Sequence, residues 1–341
     1  MKILVTGGLG YIGSHTVVEL QQQNFDVVIV DNLSNSSLNI LEGISRIAHK
    51  QLIFEQVDLR EKQAVIQLFQ KHPDIQGIIH FAASKAVGES VENPLLYYEN
   101  NIHSLVYLLQ QMQQKKDNTF FIFSSSCTVY GQAEKMPITE DAPIQTAFSP
   151  YGNTKQIGEE IIRDVAKISG INAVLLRYFN PIGAHPSAEI GELPLGVPQN
   201  LVPFITQTAM GLRNELLVFG DDYPTPDGTC VRDYIHVVDL AKAHVIALQR
   251  LINNQNSEKV EAFNIGTGKG SSVLEVIQTF EKVSEQKLAY KIVGRREGDI
   301  AEAYADTSKA NTVLGWKAQH TLEEALASAW KWEQKTRGKV L

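Results

Sequence analysis

Apolar residues enter the first half of this chain in short unbroken runs: KILVTG, DVVIVD, LIFEQVD, GIIHFAA, FFIFSSS and NAVLLRYFN. A strand with one face in water alternates apolar and polar positions, whereas a strand covered on both faces does not. The runs therefore read as parallel strands inside a sheet. Between them, segments 14–23, 39–50, 62–71 and 94–114 carry apolar residues at helical spacing, and a further helix starts near Tyr151. Alternation of strand and helix predicts an α/β doubly wound parallel sheet of the Rossmann type over residues 1–180. Beyond Asn180 the texture changes. PIGAHPSAEIGELPLGVPQN is rich in Gly and Pro and reads as a long loop, and the pieces after it are short. Residues 181–341 are expected to form a smaller mixed α/β domain, with an approximate boundary and some chain crossing back.

The first predicted strand runs into TGGLGYIGSH, where Gly7, Gly10 and Gly13 fall three apart and a helix begins. Glycines allow a tight turn and a close backbone approach to a diphosphate, while the helix start offers free N–H groups and partial positive charge. Alone the pattern is a plain strand–helix turn, but its context is specific. Asp31 ends the second run, where a carboxylate can accept adenosine ribose hydroxyls, so NAD is favoured over its phosphorylated form. Asp58 ends the third run and either flanks the adenine or caps the next helix.

Composition removes several alternatives. The chain has 341 residues, 43% hydrophobic, with net charge −7 and a pI near 5.8. That supports a sizeable core, and without a basic run it argues against nucleic-acid partners. No apolar stretch is long enough for a membrane helix, and the opening residues lack the pattern of a secretory signal. Two cysteines, Cys127 and Cys230, form no disulfide framework, so a reduced cytoplasm is the expected location. The nine histidines have no metal-ligand spacing, and no metal is expected.

SPYGNTK places Pro150 at a helix start behind Ser149, with Tyr151 and Lys155 four apart on one face. Most such pairs are solvated helix surface. Here a glycine turn precedes them, and a strand ending in three serines lies between. This set resembles the extended short-chain dehydrogenase/reductase superfamily. The resemblance makes Ser126 the hydroxyl beside the reacting oxygen. A tyrosine with pKa about 10 needs its anion stabilised by roughly 3 units, about 4 kcal/mol, to work near neutrality. One cation about 5 Å away, at an effective dielectric of 20, gives roughly 3 kcal/mol. Lys155 together with an oxidised nicotinamide suffices, so the pair requires the cofactor.

Longer strings narrow the resemblance. GGLGYIGSHTVVEL, IHFAASKAVGESVENPLLYYENN, LRYFNPIGAHPS, GDDYPTPDGTCVRDYIHVVDLA, NIGTG and RREGD resemble the UDP-glucose 4-epimerase family over nearly the whole chain. The resemblance implies tightly held NAD and a UDP-sugar substrate. Tyr151 takes the proton of the sugar 4-hydroxyl as C4 gives up hydride; the 4-keto sugar turns, and hydride returns to its other face. It implies cofactor contacts from Tyr11, Ile12, Asn32, Asn35, Ser36, Leu59, Phe81, Lys85, Asn100 and Tyr178, besides the glycines, Asp31 and Asp58. It implies substrate contacts from Asn180, Asn200, Leu201, Phe219, Arg232, Arg296, Asp299 and Ala303. On ordinary readings, Arg232–Asp233 is a surface pair and Phe219 a core aromatic. Some relatives carry tyrosine where Ala303 stands; the smaller residue predicts turnover of N-acetylhexosamine substrates as well. A 4,6-dehydratase would need an acid pair after the fifth strand, where this chain has Cys127 and Thr128. A UDP-glucuronate epimerase would need a further cation near the hexose C6. A non-catalytic NAD-binding regulator would not need Tyr151, Lys155 and Ser126 together. Leu95, Ile102, Leu105, Leu109 and Met112 form one apolar stripe on 94–114, with Tyr97, Tyr107 and Leu108 on another side. Two such faces, and the family resemblance, predict a homodimer.

Overall fold

The computed structural model describes residues 1–115, 117–296 and 298–338; Glu297 of the RREGD string lies outside them. Seven strands form one parallel sheet: β1 (Lys2–Thr6), β2 (Asp26–Asp31), β3 (Ile53–Gln56), β4 (Ile75–His80), β5 (Thr119–Ser124), β6 (Ile171–Tyr178) and a late strand at Val260–Ile265. Their spatial order is β3-β2-β1-β4-β5-β6 followed by the late strand. The unbroken apolar runs are explained by burial on both faces. Ile3 and Val5 pack with one core cluster, while Leu4 between them packs with the other.

Helices α1 (Tyr11–Gln22) and α2 (Leu38–Ala48) cover the first face. On the second lie α3 (Lys62–Lys71), α4 (Val87–Glu92), α5 (Pro94–Tyr98), α6 (Ser104–Gln113) and α7 (Pro150–Lys167). The predicted helix 94–114 is interrupted: a π-helical turn at Glu99–His103 separates α5 from α6. The extra residue per turn rotates everything before it out of phase with α6. The predicted stripe therefore breaks. Leu105, Leu109 and Met112 are buried, but Leu95 is 79% exposed; Tyr97 and Leu108, expected on an outer face, are fully buried.

After β6 the chain builds short pieces. These are β7 (Asn180–Ile182), α8 (Leu201–Ala209), β8 (Leu216–Phe219), β9 (Val231–Arg232), β10 (Tyr234–His236) and α9 (Val237–Ile252). The late sheet strand is β11; after it come β12 (Ser271–Ser272), α10 (Val273–Ser284), β13 (Tyr290–Val293), β14 (Glu302–Ala303) and α11 (Leu322–Arg337). β7 pairs with β10, β8 with β13, and β9 lies between β12 and β14. A core including Ile205, Val218, Phe280 and Leu326 holds this part together. Helix α9 returns to pack on α1, and β11 completes the large sheet beside β6. The chain thus crosses back over the position near residue 180.

Candidate active site

The order of strands reverses at β1, whose neighbours β2 and β4 lead away in opposite directions, and a crevice opens at such a point beyond the carboxyl ends. Phe81 N donates to Thr6 O at 3.1 Å, holding the carboxyl ends of β1 and β4 together. Gly7 has φ +64°, and a Cβ there would lie 2.8 Å from Ala82 N. A Cβ on Gly13 would sit 2.2 Å from Gly7 O. Gly10 caps α1 without a side chain, and the first turn holds no acidic residue. These features leave backbone N–H groups facing an unobstructed turn, which suits a diphosphate. Asp31, buried at the end of β2, accepts from Leu9 N, Leu33 N and Ser36 Oγ at 3.1, 3.0 and 2.7 Å. A carboxylate offers roughly four acceptor positions, so one remains for a ribose hydroxyl. The residues present therefore fit a dinucleotide.

Around this turn the other cofactor candidates divide. Asn32 Nδ2 reaches Asp58 Oδ2 at 3.4 Å, and Asn35 is exposed. Asp58 does not cap α3, whose N-cap is Glu61; Arg60 grips its carboxylate at 2.6 Å and holds its pKa below the usual range. Leu59 is buried in the core, Ile12 packs against the first core cluster, and the Tyr11 hydroxyl donates to Gly183 O at 2.6 Å. Asn100 lies in the π turn and donates to Ser84 Oγ at 2.9 Å. Its neighbour Asn101 went unnoticed in the sequence. It accepts from Ser84 N at 2.8 Å and donates to Thr154 Oγ1 at 3.0 Å, tying the loop before Lys85 to α7. The π turn is what aims both asparagines inward.

Ser149 caps α7, accepting from Gly152 N at 3.2 Å, and Pro150 occupies the first turn as expected. Tyr151 and Lys155 point into the protein on the same face, both buried. The Lys155 ammonium donates to Ser124 O at 2.7 Å and lies 4.9 Å from the Phe123 ring centre and 5.9 Å from that of Tyr151. Burial lowers its pKa to about 8, against an opposing pull from Glu159, one turn further along. Burial also raises the Tyr151 phenol well above its ordinary value, with Ser126 acting the other way. Each residue is thus pushed toward its neutral form, as desolvation requires. Ser126 is buried beside them, its hydroxyl accepting from Thr128 N at 3.2 Å. Tyr178 accepts from Ser124 Oγ at 2.9 Å, and the His244 ring lies 4.6 Å from Phe81 and 6.2 Å from Tyr178. The Cys127 thiol is pushed up to about 11 by burial, with the nearby Arg232 pulling it down.

That influence links the tyrosine side to a second cluster. Arg232 donates to the carbonyls of Val231 and Ile300, 2.9 and 2.8 Å away, and lies 3.8 Å from Asp299. Arg296 pairs with the same carboxylate at 2.8 Å and lies 5.4 Å from the centre of the Phe219 ring. Phe219 is therefore no core aromatic. Nor is Arg232–Asp233 a surface pair. Asp233 is fully buried and accepts from Thr267 N, Thr267 Oγ1, Gly268 N and Ala305 N, which explains why NIGTG accompanies CVRDY. Asn180 opens β7 beside them, with its N–H on Asp233 O at 2.9 Å, and Ala303 is buried opposite Arg232 on β14. Asn200 and Leu201 form the start of α8. A cavity of about 280 Å³ adjoins Asp299, lined also by Phe148, Tyr223 and Arg295. Sequence reading missed these three, though Arg295 stands beside Arg296 and stacks 4.1 Å from the Tyr223 ring centre.

A family model described as GDP-mannose 4,6 dehydratase matches residues 4–329. A UDP-glucose 4-epimerase from Bacillus subtilis (strain 168) is 50% identical over 334 residues, covering 98% of this chain and 97% of that protein. The chain belongs to the UDP-glucose 4-epimerase family. The epimerase of Stenotrophomonas maltophila, solved with NAD and formylated UDP-arabinopyranose, superposes with a TM-score of 0.94 at 48% identity, covering 99% of each chain. That of Bifidobacterium longum, solved with NAD+ and UDP, gives 0.93 at 46% identity over the full length of both. The epimerase family thus accounts for the fold along its whole length.

Proposed function

We propose that this protein interconverts UDP-glucose and UDP-galactose, with NAD held at the β1–α1 turn, Asp31, Asn100 and Lys155. The bound nicotinamide supplies the acceptor and then the donor of the C4 hydride. Tyr151 takes the proton of the sugar 4-hydroxyl, and Ser126 orients that oxygen. The 4-keto sugar turns about its diphosphate, and Tyr151 returns the proton to the same oxygen as hydride arrives on the opposite face. Lys155 supplies positive charge to the phenolate. Arg232, Arg296, Asp299, Phe219, Asn180 and the start of α8 grip the UDP. Residues 1–180, with α9 and β11, serve the cofactor; the rest serve the UDP-sugar. The observation that carries this reading is the meeting of Tyr151, Lys155 and Ser126, all buried, at the carboxyl ends of the sheet. Supplied with UDP-galactose and no added NAD, the purified protein is expected to form UDP-glucose. A 4-keto-6-deoxy product would mean dehydratase chemistry instead.

Three finer readings accompany this one. With no tyrosine ring at Ala303, the hexose pocket has room for an N-acetyl group, so UDP-N-acetylglucosamine and its galacto epimer are expected to turn over. Ala303→Tyr should suppress that activity selectively; absence of N-acetyl turnover in the unaltered protein would contradict it. A homodimer through α5 and α7, helices that pack together, is supported by the exposed Leu95 on α5 and by Ile168, 78% exposed, just past the end of α7. A cytoplasmic location is supported by two unpaired thiols. Among the described residues no helix is long and apolar enough to cross a membrane.

A further inference from the structure

Glu192 places negative charge where two diphosphates are to be held. It lies on the 181–200 loop, its side chain only 12% exposed. Its Oε1 accepts from Asn200 Nδ2 at 2.6 Å and lies 3.5 Å from Lys85 Nζ. Lys85 belongs to the cofactor side of the proposed site and Asn200 to its UDP side, so one carboxylate engages donors from both. The same charge reaches the buried Tyr11 at the glycine turn.

The position is fixed by its surroundings. Gly191 packs on Trp332 so closely that a Cβ would lie 2.5 Å from the ring. Trp332 Nε1 donates to Glu192 O at 2.8 Å, and Ala184 bridges to Gly191. Asn200 is the N-cap residue of α8, yet its side chain caps no helix N–H; its amide is turned to Glu192 instead. A carboxylate that takes one amide and one ammonium makes the contacts a phosphate oxygen would make.

We propose that Glu192 is an internal stand-in for the substrate's diphosphate, occupying the Asn200 amide and setting a like charge beside it, with the cofactor-side Lys85 as counter-ion, and so limiting the grip on UDP. This rests on the reading of the site given above. An enzyme that must hold the nucleotide while the sugar turns, and then release it, gains from a built-in competitor. Like charge opposes binding most where both groups share donors. A merely structural carboxylate would have the opposite signature, because its loss would loosen the site.

The test is calorimetric titration of the purified holoenzyme with UDP and with uridine. Glu192→Gln keeps the shape of the side chain and removes its charge. It is expected to lower the Kd for UDP about tenfold, and the KM for UDP-galactose with it, while leaving the weaker binding of uridine unmoved. Glu192→Ala keeps the Trp332 contact, which uses main-chain oxygen, and is expected to act in the same direction if the Gln variant does not fold. An unchanged or raised Kd for UDP in the folded variant would overturn the inference, as would an equal gain for uridine. A wild-type protein that binds no UDP would instead overturn the functional reading beneath it.

Discussion

Tyr151, Lys155 and Ser126 stand at the ends of a continuous parallel sheet, each less than a tenth exposed, whereas the Arg296 side chain and Phe219 are carried on short strands and loops, 58% and 36% exposed. The first group is held by a long capped helix and by regular strands on both sides. The second is held by a pair of four-residue strands, an ion pair and a ring contact. Burial makes charge expensive in the first region: it drives the phenol up and the ammonium down, leaving the pair poised for a further positive charge. Water screens charge in the second, so its grip is a sum of small, reversible terms. A site that performs proton transfer needs the first construction. One that must release a nucleotide is better served by the other.

Removing the phenolic oxygen at the buried site should have the greatest consequence. Tyr151→Phe should lose about a thousandfold or more in kcat, as removal of a positioned acid/base does, while the Kd for UDP stays within about twofold, since the ring and its packing remain. Near-full turnover in a steady-state assay would sink the assignment.

The next effect sharpens the contrast within the binding cluster. Arg232 is largely buried against two carbonyls and reaches toward Cys127, whereas Arg296 is mostly in solvent. Arg232→Ala is expected to raise the KM for UDP-galactose by about thirtyfold or more, and Arg296→Ala by roughly fivefold, because a desolvated charge is worth more than a screened one. Equal penalties would remove the distinction.

The smallest effect concerns stability. His15 and His80 are buried and held neutral, their pKa values lowered to about 3; His236 and His244 are lowered to about 4. Burial is the leading cause in each. The unfolded chain binds protons at these rings near pH 6.5 while the folded protein does not. Stability is therefore full above that pH and is lost as pH falls from about 6.5 toward 3. Thermal scans should show Tm dropping on the order of 5 °C or more between pH 7 and pH 5. A rise in Tm over that interval would contradict the neutral assignment.

Much of the cofactor region was legible in the sequence because its signals are local. An unbroken apolar run declares burial on both faces, and helix Lys62–Lys71 was read to the residue. The return of β11 to the sheet was not legible, since AFNIG carries no mark of which strand it will pair with. The π turn at 99–103 was hidden too: it depends on how Asn101 bonds to Ser84 and Thr154, residues far along the chain. Glu192 went unseen because a lone acid in a Gly/Pro loop has no periodicity to betray it. The ordinary alternative for Arg232–Asp233, a surface pair, could not be removed from sequence because adjacency says nothing of direction; the two side chains leave in different directions and serve different partners.

The proposed chemistry requires that the Tyr151 phenol ionise near neutrality only with positive neighbours in place. Tyrosinate absorbance, titrated in the NAD-loaded wild type against Tyr151→Phe and Lys155→Met, tests it most directly. The expected result is an absorbance step near neutral pH in the wild type, absent from Tyr151→Phe and displaced upward by more than about one pH unit in Lys155→Met. A step of the same size and midpoint in either variant, or none below about pH 9 in the wild type, would contradict it.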